Sequence, residues 1–222
     1  MNASDAVLDA LATALRLNRH ERAHLRTLAS RRPERLRTPP AERVTALTRD
    51  LLRSVGNAPA LVSGRRTDVL AWNPLAHALL AGHLDPSAPE RPADRPNLAR
   101  LLFLDPHSRE LYADWERKAR AVAGHLRLVA GQYPEDASLA ALVGELSMGS
   151  QEFTAMWNDH GVRPCEADSY LLRHPLVGEL TVAQQVLLLA RSPGQSIVVI
   201  TAEEGSSSQD SLELLGRFTV AR

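Results

Sequence analysis

Glu179-Leu180-Thr181-Val182-Ala183-Gln184-Gln185-Val186-Leu187-Leu188, followed by Ser192-Pro193-Gly194-Gln195 and then Ile197-Val198-Val199-Ile200-Thr201, is the stretch whose reading decides the fold. Its even positions, Leu180 to Leu188, alternate with Glu179, Thr181, Ala183, Gln185 and Leu187, the period of two of a half-buried strand. Pro193 pre-sets φ and Gly194 permits φ > 0, so the link predicts a turn into the β-branched run and an antiparallel hairpin. Upstream, Ser169-Tyr170-Leu171-Leu172-Arg173 predicts a third strand, parted from the second by His174-Pro175 and Gly178. Residues 41–168 then have to supply whatever covers this sheet.

Composition narrows the class. With 222 residues, 44% of them apolar, the chain can bury one good core plus an appendage and is no disordered protein. No apolar run approaches the roughly 18 to 20 residues that cross a bilayer, and the N-terminus lacks the blocks of a signal peptide, so a cytoplasmic location is expected. The 26 basic side chains balance 26 acidic ones, which leaves no global field for holding a polyanion. Cys165, the single cysteine, has no partner for a disulfide or a zinc knuckle.

Taken outward from the sheet, the chain punctuates itself. Ser4 caps a helix with Val7, Leu8, Leu11 and Leu15 on one face, and Asn18 with Glu21 forms a capping box for a second with Leu25 and Leu28 inward. Residues 1–30 are too few to fold alone, and 31–40, with Arg31, Arg32, Arg35, Arg37 and Pro33, has linker composition. From Pro39, with Thr38 as cap, a helix is predicted carrying Val44, Leu47, Leu51, Leu52 and Val55 along one stripe. Ala60-Leu61-Val62-Ser63 and Thr67-Asp68-Val69-Leu70-Ala71 flank Gly64-Arg65-Arg66 as a short hairpin. Asn73-Pro74 opens a further helix, Asn97 and Asp105-Pro106 introduce a short one and then a long one carrying Leu111, Trp115, Val122, Leu126 and Val129, and two more follow Asp136 and Ser150. A last helix lies near Ser208 to Gly216. Two strands, a helical insert and three strands is the order of a PAS domain, so the expected fold is α+β: a PAS-like five-stranded antiparallel sheet covered by helices, with an N-terminal helical appendage.

Several runs resemble one family. Pro59-Ala60-Leu61-Val62-Ser63-Gly64-Arg65-Arg66-Thr67-Asp68-Val69-Leu70-Ala71-Trp72-Asn73, Asn97-Leu98 through Leu104-Asp105-Pro106, Leu142-Val143-Gly144-Glu145-Leu146 and His174-Pro175-Leu176-Val177-Gly178-Glu179-Leu180 are similar to the ligand-binding domain of MmyB-like transcription regulators, common in actinobacteria. The likeness spans residues 41–217. It implies a PAS-like sensor with an apolar cavity for a fatty-acid-like ligand, joined to an XRE-type helix-turn-helix DNA-binding domain. Residues 1–30 would be the last helices of that domain, with its recognition helix missing from this chain, so that DNA is a partner only through the missing part. A homodimer fits such regulators, which read paired half-sites. One departure is Thr67, where related sequences usually carry tryptophan.

The candidate ligand-binding residues are Trp72, Asn73, Trp115, His125, Trp157, Tyr170, Arg173 and His174. The three tryptophans fall at the inward phase of their elements, and in a PAS-like shell core and cavity lining are one surface. His125 offers an imidazole for a carboxylate or a haem iron, against the plainer expectation of a satisfied histidine. Arg173, Tyr170, His174 and Asn73 are candidates for the head group, with surface pairing of Arg173 and helix capping by Asn73 as the alternative. About twelve buried methylenes would contribute on the order of 10 kcal/mol before binding costs. His20-Glu21-Arg22-Ala23-His24 is a literal H-E-x-x-H, the pattern of a zinc hydrolase. Arg19, Arg22 and Arg26 around it disfavour Zn²⁺, and no third ligand follows at a metzincin spacing, so a solvated helix face is expected there. No catalytic residue, metal or cofactor is expected, with a haem or flavin sensor as the remaining alternative.

Overall fold

The computed structural model describes residues 5–15, 17, 21–22, 25, 42–159 and 168–220. The linker, both histidines of the H-E-x-x-H pattern and Cys165 lie outside them.

The hairpin read first is present, and it is the middle of the sheet. The strand Gly178–Leu188 pairs antiparallel with Ser196–Thr201, Val186 opposite Val198. Gly194 turns the chain between them with φ +87°, in the left-handed region that glycine enters without a Cβ penalty. Asp168–His174 pairs with Gly178–Leu188 on its other side, Leu172 opposite Leu180. The first two strands are Ala60–Ser63 and Val69–Trp72. Numbered β1 to β5 in chain order, the five strands lie in the order β2-β1-β5-β4-β3, with every pair antiparallel. This is the PAS-like order expected. β5 is central because its β-branched run feeds both faces: Val198 and Ile200 point to one core and Ile197 to another.

Nine helices are described: α1 Asp5–Ala14, α2 Ala46–Ser54, α3 Pro74–Ala81, α4 Leu98–Leu104, α5 Pro106–Leu111, α6 Trp115–Gln132, α7 Ala137–Gly149, α8 Gln151–Asn158 and α9 Ser207–Val220. Residues of α3, α5 and α9 pack on the inner sheet face with Leu61, Tyr170, Leu172, Leu180, Val182, Val198 and Ile200. The other face meets α2, whose Leu52 packs with Ala60, Val62, Leu70 and Ile197. A further core joins α4, α6, α7 and α8 through Leu102, Phe103, Leu126, Leu146 and Phe153. Tyr112 packs against both this core and the inner sheet core, and burial raises its phenol pKa.

Two helix boundaries differ from the sequence expectation. The helix placed from Pro39 starts only at Ala46, where Thr45 caps it by accepting from Thr48 N at 3.2 Å. Residues 42–45 stay out of the helix because two hairpin tips hold them: Glu42 accepts from Arg65 N at 3.1 Å, and Gln195 Nε2 donates to Arg43 O at 3.1 Å. Of the expected stripe, Leu47 is exposed and Leu52 is buried. The long helix begun at Pro106 is broken after Leu111, because Tyr112 and Ala113 add themselves to the β3 edge, Ala113 N donating to Leu171 O at 3.0 Å. Asp114 then recaps the chain for α6. Covering an edge strand in this way removes a row of open hydrogen-bonding groups.

Leu172, 1% exposed between the sheet and the Tyr112 segment, sets the first prediction. Leu172→Ala is expected to cost about 3 kcal/mol in urea unfolding through lost contacts and a residual cavity. Leu188→Ala, at an 85% exposed position of the same sheet, is expected to cost less than about 0.5 kcal/mol.

Candidate functional site

A cleft of about 350 Å³ opens beside β2, between α2 and the Pro86–Glu90 segment. Local sequence explains each wall. A β-bulge between Val62 and Ser63 shifts the β1–β2 register, so that Leu70 and Ala71 both pack toward Leu52 of α2 and form an apolar floor. Arg49 and Arg53, one helical turn apart, stand on the rim with Glu90 among the lining residues. Arg53 pairs with Asp50 on its own helix, whereas Arg49 has no side-chain hydrogen bond or ion pair among the described residues.

Trp72 closes the end of the floor. Its indole Nε1 donates to Pro86 O at 2.7 Å, which fixes the ring and ties the proline segment to the strand. That segment is rigid in itself: Asp85 accepts from Ser87 N and Oγ at 2.8 Å each and from Arg91 Nη2 at 2.7 Å. These bonds, led by the one from the Ser87 backbone, hold the Asp85 carboxyl down at about 2. Asn73, 5% exposed, is the joint behind Trp72. Its Oδ1 accepts from Ala76 N at 2.8 Å, capping α3, and from Ala60 N at 3.1 Å, while Nδ2 donates to Ala58 O at 2.8 Å.

Trp72 and Asn73 are therefore brought together at the cleft, and the other six expected residues are not. Trp115 and Trp157 belong to the helical core, where Trp115 Nε1 donates to Leu102 O at 2.8 Å and Trp157 stacks on Phe153 at 5.5 Å. Tyr170 is buried in the sheet core, edge-on to Tyr112, with Lys118 Nζ 4.5 Å from its ring centre. Arg173 is exposed and pairs with Glu179 at 3.3 Å. His174 is spent on the fold: Nε2 lies 3.0 Å from Ala78 O and Nδ1 accepts from Leu176 N at 3.3 Å. Two carbonyl-facing and N–H-facing bonds require the neutral Nε2–H form, and desolvation lowers its pKa, assisted by the nearby His107. His125 Nε2 lies 3.1 Å from the carbonyl oxygen of Arg65. His125 is exposed as a residue, yet desolvation of its imidazole lowers its pKa, opposed by the bond to the Arg65 carbonyl.

The region directly between sheet and helices, where the sequence placed a hollow, is filled along β3 and the first half of β4 by Tyr170, Leu172, Leu180 and Val182. The filling thins toward the end of β4, where Val186 is 54% exposed. Arg49, Leu52, Arg53, Leu70, Pro86 and Glu90 were not singled out from the sequence. The signal available for them was an arginine pair at i and i+4 flanking an inward leucine. Among the described residues no group of three or more His, Cys, Asp or Glu side chains is placed to hold a metal ion, and no helix is long and apolar enough to cross a membrane.

Residues 44–215 match the family model of the MmyB-like transcription regulator ligand binding domain. That span contains the whole sheet, the cleft and the helical core, and excludes α1. A comparison with curated proteins finds no match.

Asn73→Ala leaves the Ala60 and Ala76 N–H groups and the Ala58 carbonyl without their partner, and is expected to cost about 2 to 4 kcal/mol in urea unfolding. The two histidines predict a pH dependence of known sign. Their folded pKa values lie below the ordinary 6.5, so the unfolded chain takes up protons that the folded one refuses. Stability should be full above that pH and fall as pH drops through it. His174→Gln should flatten this acid limb in denaturation curves recorded from pH 7.5 to 5.

Proposed function

The chain belongs to the MmyB-like transcription regulator ligand binding domain family, and on that premise we propose that the β2 cleft is its effector site. The ligand is a fatty-acid-like amphiphile. Its tail lies over Leu52, Leu70, Ala71 and Trp72, and its carboxylate is held by Arg49 and Arg53. The observation that carries this reading is an apolar floor built from β2 and Leu52 beside Arg49, an α2 arginine with no side-chain hydrogen bond or ion pair among the described residues. A carboxylate meeting a guanidinium makes short charge-assisted bonds, strongest when bidentate. An open cleft buries only part of a tail, so a twelve-carbon chain with half its methylenes covered gains roughly 5 kcal/mol before binding costs.

Control of DNA binding follows from where the ligand sits. α2 is the element through which the ligand-binding domain continues toward the N-terminal helices, which we read as the end of a helix-turn-helix domain. A ligand that contacts α2 differently in two arrangements shifts their populations by its differential affinity and no more. The protein acts as a homodimer in this reading, matching paired half-sites on DNA.

Dodecanoate titrated by calorimetry tests the proposal. Saturable one-to-one binding is expected, weakened at least tenfold in Arg49→Glu/Arg53→Glu and in Trp72→Ala, with Arg173→Glu unaffected. Binding untouched by the cleft variants would place the ligand elsewhere, and absence of binding would remove the fatty-acid reading.

A further inference from the structure

The tip of the β1–β2 hairpin holds the densest charge cluster among the described residues, and nothing in the cleft accounts for it. Arg65 is 7% exposed. Its backbone N–H donates to Glu42 Oε1 at 3.1 Å, and its Nη1 lies 3.6 Å from the same oxygen. Its Nε donates to Asp136 Oδ2 at 3.2 Å, while Arg66 Nη1 reaches Asp136 Oδ1 at 3.4 Å. Asp136 Oδ1 also accepts from Ser138 N and Leu139 N at 3.1 Å each, capping α7. The carbonyl of Arg65 is the partner of His125 on α6. One residue thus touches the segment leading into α2 on one side and two helices of the helical core on the other.

The cluster is tight but incompletely satisfied. A Cβ on Gly64 would sit 2.5 Å from Glu42 Oε2, so the carboxylate rests on bare backbone. Among the described residues, Glu42 Oε2 and Gln195 Oε1 are buried without a hydrogen-bond partner, although Gln195 Nε2 holds Arg43 O. A buried carboxylate drawn away from the Arg65 guanidinium loses a counter-charge, so the two sides move together or separate at a cost. The unsatisfied Glu42 Oε2 makes the Glu42 side of the cluster less completely bonded than the Asp136 side.

We propose that Arg65 is a coupling residue: it links residues 42–45, and through them the cleft wall α2, to the N-terminus of α7, so that cleft occupancy and helical-core packing form one two-state unit. This rests on the reading of the cleft as the effector site for its biological meaning. The mechanical link itself does not depend on it. Coupling between two ends of such a unit is reciprocal.

Amide hydrogen exchange on the full chain tests the link. Asp136→Asn keeps a good N-cap for α7 and removes the charge facing Arg65. It is expected to speed exchange of residues 42–54 at least fivefold. Asp105→Asn, which caps α5 through His107 N without touching Arg65, should leave residues 42–54 unchanged. Glu42→Gln should reciprocally speed exchange at residues 137–142. Effects of Asp136→Asn confined to α7, together with effects of Glu42→Gln confined to α2, would overturn the proposal. In the wild type, dodecanoate is expected to slow exchange at both 42–54 and 137–142, and slowing at 42–54 alone would count against it. If dodecanoate binds nowhere, the effector reading of the cleft falls while the two variants still decide the coupling.

Discussion

The fold depends on four residue pairs between β1 and β5, from Ala60 with Val199 to Ser63 with Ser196. They join a short hairpin at one end of the ligand-binding span to three strands at the other, with six helices of the described chain between them. Closing so long a loop costs entropy that grows slowly with its length, so the pairing needs a compact hydrophobic return. Leu61, Val198 and Ile200 supply it on one face, and Ala60, Val62 and Ile197 on the other. A central strand buried on both faces has one tolerable register, because a slip of one residue would exchange its two cores.

From that register the rest follows by geometry. Placing β1 beside β5 leaves β2 on one edge and β3 on the other. The β3 edge is covered by Tyr112 and Ala113, which also interrupts what would be one long helix. The β2 side is left open enough for a cleft, because α2 approaches over the bulge and the proline segment stands off on the Trp72 indole. The same register sets the β1–β2 and β4–β5 tips side by side, where they grip residues 42–45. The β2 cleft and the Arg65 cluster are thus two products of one sheet.

Much of this was legible in the sequence, and the reasons separate cleanly. Alternation in Glu179–Leu188 and the β-branched run after it are local signals, and Asn73, Asn97, Asp136 and Ser150 all cap the helices they precede. The break at Tyr112 was invisible because it is caused by a partner strand sixty residues on. The start of α2 was misplaced for the same reason, since Arg65 and Gln195 override a local helical pattern. For the site, inward phase placed Trp72, Trp115 and Trp157 against the core, where each is half-buried, but could not say against which of the separate cores. Asn73 was read both as a cap and as a ligand contact, and its three hydrogen bonds are all within the fold. The spacing of Arg49 and Arg53 at i and i+4 is a weak signal, because arginine supplies nearly all the positive charge of the chain.

The proposed effector site places an amphiphilic carboxylate at the β2 edge and not deeper under the helices. A crystal structure of the chain grown with dodecanoate addresses it directly. The alkyl chain is expected along Leu52, Leu70 and Trp72 with its carboxylate about 3 Å from the guanidinium of Arg49 or Arg53. Density for the alkyl chain beneath α6 against Val186, with the β2 cleft holding only solvent, would contradict it.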